Sequence, residues 1–280
     1  MALIINTNVA SLGAQRSLAT SGAELKTAME RLSSGKKINS AADDAAGFAI
    51  AERMTAQIRG LNMATKNAND GLSMLGVIEN ATNDVTDMLH RMRELAIQAT
   101  NDTNGDADRL FLQKEVAQLI EEIDRVADKT TYNDQVVLNG GFTDKSIQVG
   151  TKSGDVVNFD INDINTSSIG TGSAAATQVA SITVSSVTGA EAALQVITDA
   201  IEQVAGDRAT YGALQNRLEY TVSNLMNVAE YTTAARSRIE DADFAAESAR
   251  LAKAQVLQQT GTAMLAQANA SSQLALSLIR

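Results

Sequence analysis

The sequence predicts a mainly α protein, a long antiparallel helical bundle or coiled coil with a small β-hairpin region at its distal end. Three observations carry this reading. Leucine, isoleucine, methionine and alanine recur every three or four residues at both ends of the 280-residue chain, no proline interrupts them, and the pattern yields to β-branched residues and glycines only near the middle. A period of about 3.5 to 3.6 residues puts such side chains on one narrow helical stripe, which is covered only when another helix lies along it. Aromatic residues are 3% of the chain and tryptophan is absent, so one thick core is less suited to this composition than a thin bundle.

The N-terminal stripe runs through Ile5, Val9, Leu12, Leu18, Leu25, Met29 and Leu32, and weakens at Ser33-Ser34-Gly35, where two serines and a glycine favour a helix end. A polar connector follows. Ser40 with Asp43 three residues on resembles a capping box, and Asp43 and Asp44 suit the positive end of a new helix, read over Ala45 to Leu61. A second stripe through Leu72, Leu75, Ile78, Val85, Leu89, Met92, Leu95 and Ala99 spans roughly 40 Å as a helix and stops at Asn101-Asp102-Thr103-Asn104-Gly105. A third, through Leu110, Val116, Ile120, Ile123 and Val126, ends before Thr130.

Between Val136 and about Val187 the texture is β-like. Ser146 to Val149 and Val156 to Ile161 flank Lys152-Ser153-Gly154-Asp155 and read as a hairpin, while Thr166 to Thr177 reads as an exposed loop. Helical periodicity returns from Ala190 through Ile197, Val204, Tyr211, Leu214, Leu218, Val222, Leu225 and Val228, and the C-terminal stripe uses Leu251, Leu257, Met264, Leu265, Ala268, Ala275 and Leu278. The chain is thus expected to run out, turn in the β region and run back, leaving its terminal helices as neighbours. The leucines of both ends, Leu12, Leu18, Leu25, Leu32, Leu251, Leu257, Leu265 and Leu278, are the candidate association residues.

A net charge of −10 argues against a nucleic-acid or anionic-membrane surface, either of which needs a concentrated basic face. Without cysteine, disulfides, thiolate catalysis and cysteine-based metal sites are excluded. Met1 to Ala10 lack the charged start of a cleaved secretory signal, and no run approaches the ~18 apolar residues of a membrane span. His90, the single histidine, flanks the Leu89 to Met92 seam without a second zinc ligand and reads as a solvent-facing helix residue. Gly170-Thr171-Gly172-Ser173 lacks the third glycine of a dinucleotide loop, and Asp160-Ile161-Asn162-Asp163 lacks the glycine and glutamate of a calcium loop. No catalytic, metal or cofactor site is expected.

The connector and its flanks, Glu30-Arg31-Leu32-Ser33-Ser34-Gly35-Lys36-Lys37-Ile38-Asn39-Ser40-Ala41-Ala42-Asp43-Asp44-Ala45-Ala46-Gly47, resemble the signature of bacterial flagellin. So do Ile5-Asn6-Thr7-Asn8, Asn67-Ala68-Asn69-Asp70-Gly71 and Arg93-Glu94-Leu95-Ala96. Arg238-Ile239-Glu240-Asp241-Ala242-Asp243-Phe244-Ala245 and Gly261-Thr262-Ala263-Met264-Leu265-Ala266-Gln267-Ala268-Asn269 resemble the family's C-terminal signature. The likeness covers about the first 140 and last 90 residues, and matching at both ends in order is specific.

The resemblance implies an extracellular subunit of the flagellar filament, exported by the flagellar type III apparatus without a cleaved signal peptide. It implies an inner domain from 1–43 with 240–280, a helical rod with a hairpin tip from 44–239, and none of the inserted outer domains of larger members. The implied partners are copies of the chain, a filament cap protein, a hook-filament junction protein and an export chaperone. Arg91, Leu95 and Glu115 fall where many flagellins meet the animal Toll-like receptor that senses them, and Ser and Thr between Thr166 and Thr188 fall where flagellins carry O-glycans. Two departures stand out: no proline interrupts Asn269-Ala270-Ser271-Ser272-Gln273, and Asp134 follows Asn133 where glycine is common. The rival readings are a hook-filament junction protein, distinguished by low abundance in sheared filaments, and an adhesin or enzyme merely oligomerised by coiled ends, which would form discrete oligomers.

Overall fold

The computed structural model describes residues 7–170 and 178–277, with 272–277 described by their backbone alone. In chain order these form α1 (Val9–Ser34), α2 (Ala45–Thr100), α3 (Asp106–Lys129), β1 (Thr131–Tyr132), β2 (Gln135–Val136), β3 (Lys145–Gln148), β4 (Val156–Phe159), a 3-10 turn (Val179–Ser181), α4 (Val187–Glu240) and α5 (Phe244–Ser277). Packing separates two compact units, one from the residues up to Ile58 with those from Glu230 onward, the other Arg59–Ala229.

Helix ends follow local chemistry. Asn8 starts α1 by accepting the Ser11 N–H at 3.0 Å, and Gly35 closes it in the left-handed region at φ 71°, its N–H donating to the Arg31 carbonyl at 2.9 Å. At α2 the expected capping box is half present. Asp43 accepts the Ser40 N–H at 2.9 Å, but the Ser40 hydroxyl also donates to Asp43, so it is Asp44 that caps the helix by accepting the Gly47 N–H at 2.9 Å. Asp243 caps α5 through the N–H groups of Ala245 and Ala246.

The two stretches read over Ala45 to Leu61 and from Leu72 onward are one 56-residue helix. Gly71, which costs roughly 1 kcal/mol inside a helix, sits there because a β-carbon would come within 2.6 Å of Ile147 and 3.2 Å of Phe159. Asn67 donates to the Gln148 carbonyl at 3.0 Å. Asn67 to Gly71 is therefore the seat on which the β3–β4 hairpin rests.

That hairpin is antiparallel, pairing Lys145 with Phe159 and Ile147 with Val157. Val157 and Phe159 face the core while Val156 and Asn158 face outward, the alternation of a half-buried strand. A second hairpin, β1–β2, escaped the sequence reading. Its two-residue loop places Asn133 at φ 50° and Asp134 at φ 61°, the doubly left-handed geometry of a type I′ turn.

Arg59–Ala229 holds one large core and a small second cluster around Leu61, Ala64 and Leu225. Leu75, Ile78, Val85, Leu89, Met92 and Leu95 of α2 meet Val116 and Ile123 of α3, Ile197, Val204, Tyr211 and Leu218 of α4, and Phe159 and Ile161 beside the hairpin. Helices α2 and α4 run antiparallel, with Arg208 donating to Glu79 and Leu61 packing near Leu225. Arg109 is buried at the α2–α3 turn, donating to the carbonyls of Ala99 and Asn101 and so satisfying the end of α2.

Two sequence expectations fail here. Leu110 was placed on the α3 seam but is exposed, because the inward face is set by Arg109, Val116 and Ile123. The exposed loop expected from Thr166 fails at its start: Thr166, Ile169 and Gly170 are buried, and Thr166 donates through both its N–H and hydroxyl to Asp124. Residues 171–177 lie outside the described residues, as does most of the glycine pattern beginning at Gly170.

Candidate functional site

The candidate site is the pairing of α1 with α5. These helices run antiparallel with closely approaching backbones: Ser11 donates to Asn269 at 2.9 Å near one end, and Arg31 meets Glu247 at 3.2 Å near the other. The inward positions on α1 are Ser11, Ala14, Leu18, Ser21, Leu25, Ala28 and Leu32, spaced alternately three and four. On α5 they are Glu247, Leu251, Ala254, Gly261, Leu265 and Ala268, with exposed Gln258 completing the alternation. This is a heptad seam, and its small residues let the backbones come near. At Gly261 an added β-carbon would lie 3.0 Å from Leu18.

The predicted leucines therefore divide. Leu18, Leu25, Leu32, Leu251 and Leu265 lie in the seam but stay half-buried. Leu12 and Leu257 do not belong to it; they are 59% and 42% exposed, and Met264, one heptad beyond Leu257, is 64% exposed. Leu278 and Ile5 lie outside the described residues. Leu257 and Met264 line one flank of the pair with Ala10, Gly13, Ser17 and Thr20, around a groove of about 780 Å³.

Sequence reasoning missed the polar members of this unit. Glu247, 5% exposed inside the seam, accepts from both Arg31 and Arg250. The connector after α1 is strapped to the α4–α5 junction: the Lys37 N–H donates to the Glu240 carbonyl at 2.6 Å, the Ala242 N–H to the Gly35 carbonyl at 3.0 Å, and Lys36 forms an ion pair with Glu240. Asp43 is held below the usual carboxylate range by the backbone N–H groups of Ser40 and Asn39. A β-carbon on Gly47 would strike Asp44 and Ile38, so this glycine lets the connector close on α2. Serine, glycine and glutamate in a stripe carry no hydrophobic signal; only their three-four spacing could have revealed them.

Elsewhere, Arg91 donates to Glu115 at 2.9 Å and to Glu94 at 3.0 Å, and these carboxylates, Glu94 foremost, hold its guanidinium above its ordinary pKa. Arg91 and Glu115 thus meet at the surface as a pair. Leu95, expected with them, is 1% exposed and faces the core, so it is not part of that surface. His90 is exposed on α2. Among the described residues no helix is long and apolar enough to cross a membrane, and no three His, Asp or Glu side chains are placed to hold a metal ion.

Comparison with known proteins agrees with this architecture. The bacterial flagellin N-terminal helical region matches residues 5–143, and the bacterial flagellin C-terminal helical region matches 194–279. A flagellin of Halalkalibacterium halodurans is 41% identical, over 99% of this chain and 100% of its own. The flagellar filament 33 kDa core protein of Treponema phagedenis is 40% identical, over 99% of this chain and all of its own. A solved structure from Vibrio parahaemolyticus, described as a flagellar hook-associated protein, shares the fold at a TM-score of 0.60 and 15% identity, covering 71% of this chain and 100% of its own. With both helical regions matched in order and relatives aligned end to end, the chain belongs to the bacterial flagellins, non-enzymatic structural subunits that polymerise with their own copies into the flagellar filament outside the cell.

Proposed function

We propose that the α1–α5 pair is an incomplete packing surface that neighbouring subunits finish, so that folding of the chain ends is coupled to polymerisation. The observation that carries this is the exposed apolar flank of Leu257 and Met264 beside a groove lined largely by small residues. An isolated two-helix pair with alanine, serine and glycine in its seam buries little apolar surface against the entropy of ordering two long segments. Adjacent copies laid along the open flank supply the missing contacts. Residues 1–43 with 240–280 then form the inner domain of the filament, and 44–239 the helical rod outside it.

Deleting Leu251 to Arg280 tests this. The remaining chain stays soluble with a folded central region and fails to polymerise, as read by sedimentation and electron microscopy. Filaments formed by the truncation contradict the reading.

Family membership supports the remaining assignments. The chain leaves the cell through the flagellar type III apparatus without a cleaved signal, its C-terminal helix held by an export chaperone. The filament cap and hook-filament junction proteins bound the polymer at its ends. The exposed Arg91–Glu115 pair is the part of the expected receptor patch accessible to a host Toll-like receptor, with Leu95 supporting α2 from beneath. Exposed Ser181, Thr183, Ser186 and Thr188 are available to a glycan, whereas buried Thr166 is not.

A further inference from the structure

We propose that Asn139 is a self-modifying site, losing its side-chain amide to the adjoining backbone to become aspartate or isoaspartate. The sequence holds two Asn-Gly pairs, Asn104-Gly105 and Asn139-Gly140. Such pairs are open to this chemistry because glycine has no β-carbon to shield its nitrogen or restrict its backbone. The deprotonated Gly140 nitrogen adds to Asn139 Cγ, the Cγ–Nδ2 bond breaks, and Nδ2 leaves as ammonia after taking a proton from water. One water then opens the resulting succinimide. Opening at one carbonyl gives aspartate; opening at the other gives isoaspartate, whose main chain passes through the β-carbon.

The two pairs are indistinguishable by sequence, but the structure separates them. At Asn104 both reacting nitrogens are engaged: Nδ2 donates to the Gln98 carbonyl at 2.6 Å, and the Gly105 N–H donates to the Asp108 carboxylate at 3.1 Å. The second bond belongs to the N-terminal cap of α3, and the carboxylate's negative charge opposes loss of the Gly105 proton. Ring closure at Asn104 must first break both bonds and disturb the helix end.

Asn139 is exposed, and neither its Nδ2 nor the Gly140 N–H has a hydrogen-bond partner among the described residues. Its Oδ1 accepts the Gly141 N–H at 3.2 Å. That bond holds the side-chain amide against the following turn and places a donor on the oxygen where negative charge grows as the nitrogen adds. Gly140 lies at φ 76°, a region glycine enters freely, so the turn requires the residue that makes its neighbour reactive. The site directly follows fully buried Val137 and Leu138, so an inserted main-chain atom and a new negative charge arise beside the core.

The test is incubation of the purified full chain in mildly alkaline buffer, followed by peptide mass mapping and labelling with an isoaspartate-specific methyltransferase. The Asn139 peptide is expected to gain the mass of amide-to-acid conversion and the label, at least about tenfold faster than the Asn104 peptide. Asn139→Gln abolishes the change, since it would need a six-membered ring, and Asp108→Ala accelerates conversion at Asn104. The proposal is overturned if Asn104 converts as fast as Asn139 in the native chain, or if Asn139 stays amidated in the folded protein while a urea-unfolded sample converts.

Discussion

The core formed by α2, α3 and α4 and the seam between α1 and α5 are both helix-on-helix packing, yet they are made of different side chains. In the first, Leu75, Ile78, Val85, Leu89 and Met92 are completely buried against Ile123, Ile197, Val204 and Leu218. At about 1.5 to 3 kcal/mol for each large apolar side chain, such a core can offset its own ordering entropy. In the second, the fully buried apolar side chains are Ala28 and Ala254, while the leucines stay half in water. Similar helices thus differ in what they bury: one set encloses large apolar side chains within the chain, and the other, on the proposed reading, is finished by neighbours.

The sharpest way to break this comparison is to make the same cut in both regions. Leu95→Ala removes a side chain buried at 1% exposure and is expected to lower the unfolding free energy of the free subunit by about 3 kcal/mol in urea titrations. Leu25→Ala, half-buried in the α1 seam, is expected to cost the free subunit about 1 kcal/mol or less but to prevent polymerisation, since the proposed assembly covers the seam further. Equal losses in the free subunit would show that the terminal pair is already complete alone.

A second cut concerns register. A seam of alanine, serine and glycine tolerates slippage, whereas Glu247 held between Arg31 and Arg250 fixes which turns of α1 and α5 face each other. Glu247→Ala leaves the Arg31 guanidinium, 19% exposed, without its carboxylate. The expected loss is about 2 kcal/mol of helix-pair stability, read as reduced hydrogen-exchange protection in α1 with none lost in α3. Unchanged α1 protection would mean that shape alone sets the register.

These two positions show how much was legible in the sequence. Leu95 reads as a seam residue because it continues a stripe of large apolar residues through Val85, Leu89 and Met92, and the three central stripes mark real helices. The terminal seam was only partly visible. Leu18, Leu25 and Leu265 obey the true heptad, but Leu12 and Leu257 attracted attention by being leucines, while Ser21, Gly261 and Glu247 occupy inward positions without a hydrophobic signature. Burial of Thr166 depends on Asp124, 42 residues earlier, a long-range pairing that local patterning does not encode. The β1–β2 hairpin was hidden because Asn133-Asp134 lacks the glycine that usually marks its turn.

Within the central core, one polar cluster sets a pH dependence. Asp207 accepts from Asn162 Nδ2 through one carboxylate oxygen, while the other is buried without a partner, and burial pushes its pKa up. Tyr211, whose hydroxyl accepts the Asn162 N–H, is pushed up to about 12 by burial and by the charge of Asp207. Both folded pKa values lie above their unfolded ones, so in both windows the folded state holds the extra proton and stability falls as pH rises. For Asp207 the fall begins at 3.8 and ends above its raised pKa; for Tyr211 it runs from 10.0 to about 12. Asp207→Asn should abolish the acid-side fall and move the late tyrosine titration downward, read by denaturation at several pH values and by tyrosinate absorbance. An unchanged acid limb would place the pH dependence elsewhere.

The smallest expected effect lies in the β1–β2 turn, where the central unit contains strain rather than incomplete packing. Asn133 and Asp134 both stand at positive φ, and a β-carbon there crowds the following carbonyl. Asparagine and aspartate tolerate this better than other non-glycine residues, and Thr131↔Val136 pairing holds them in place. Asp134→Gly relieves the crowding at one position while adding backbone freedom to the unfolded chain, two terms of opposite sign. The net gain expected is about 0.5 kcal/mol in urea unfolding, with Asp134→Ala shifting the midpoint in the opposite direction by a similar amount. If alanine proves as stable as glycine, the turn is not held at positive φ in solution. The hairpin would then close by another geometry.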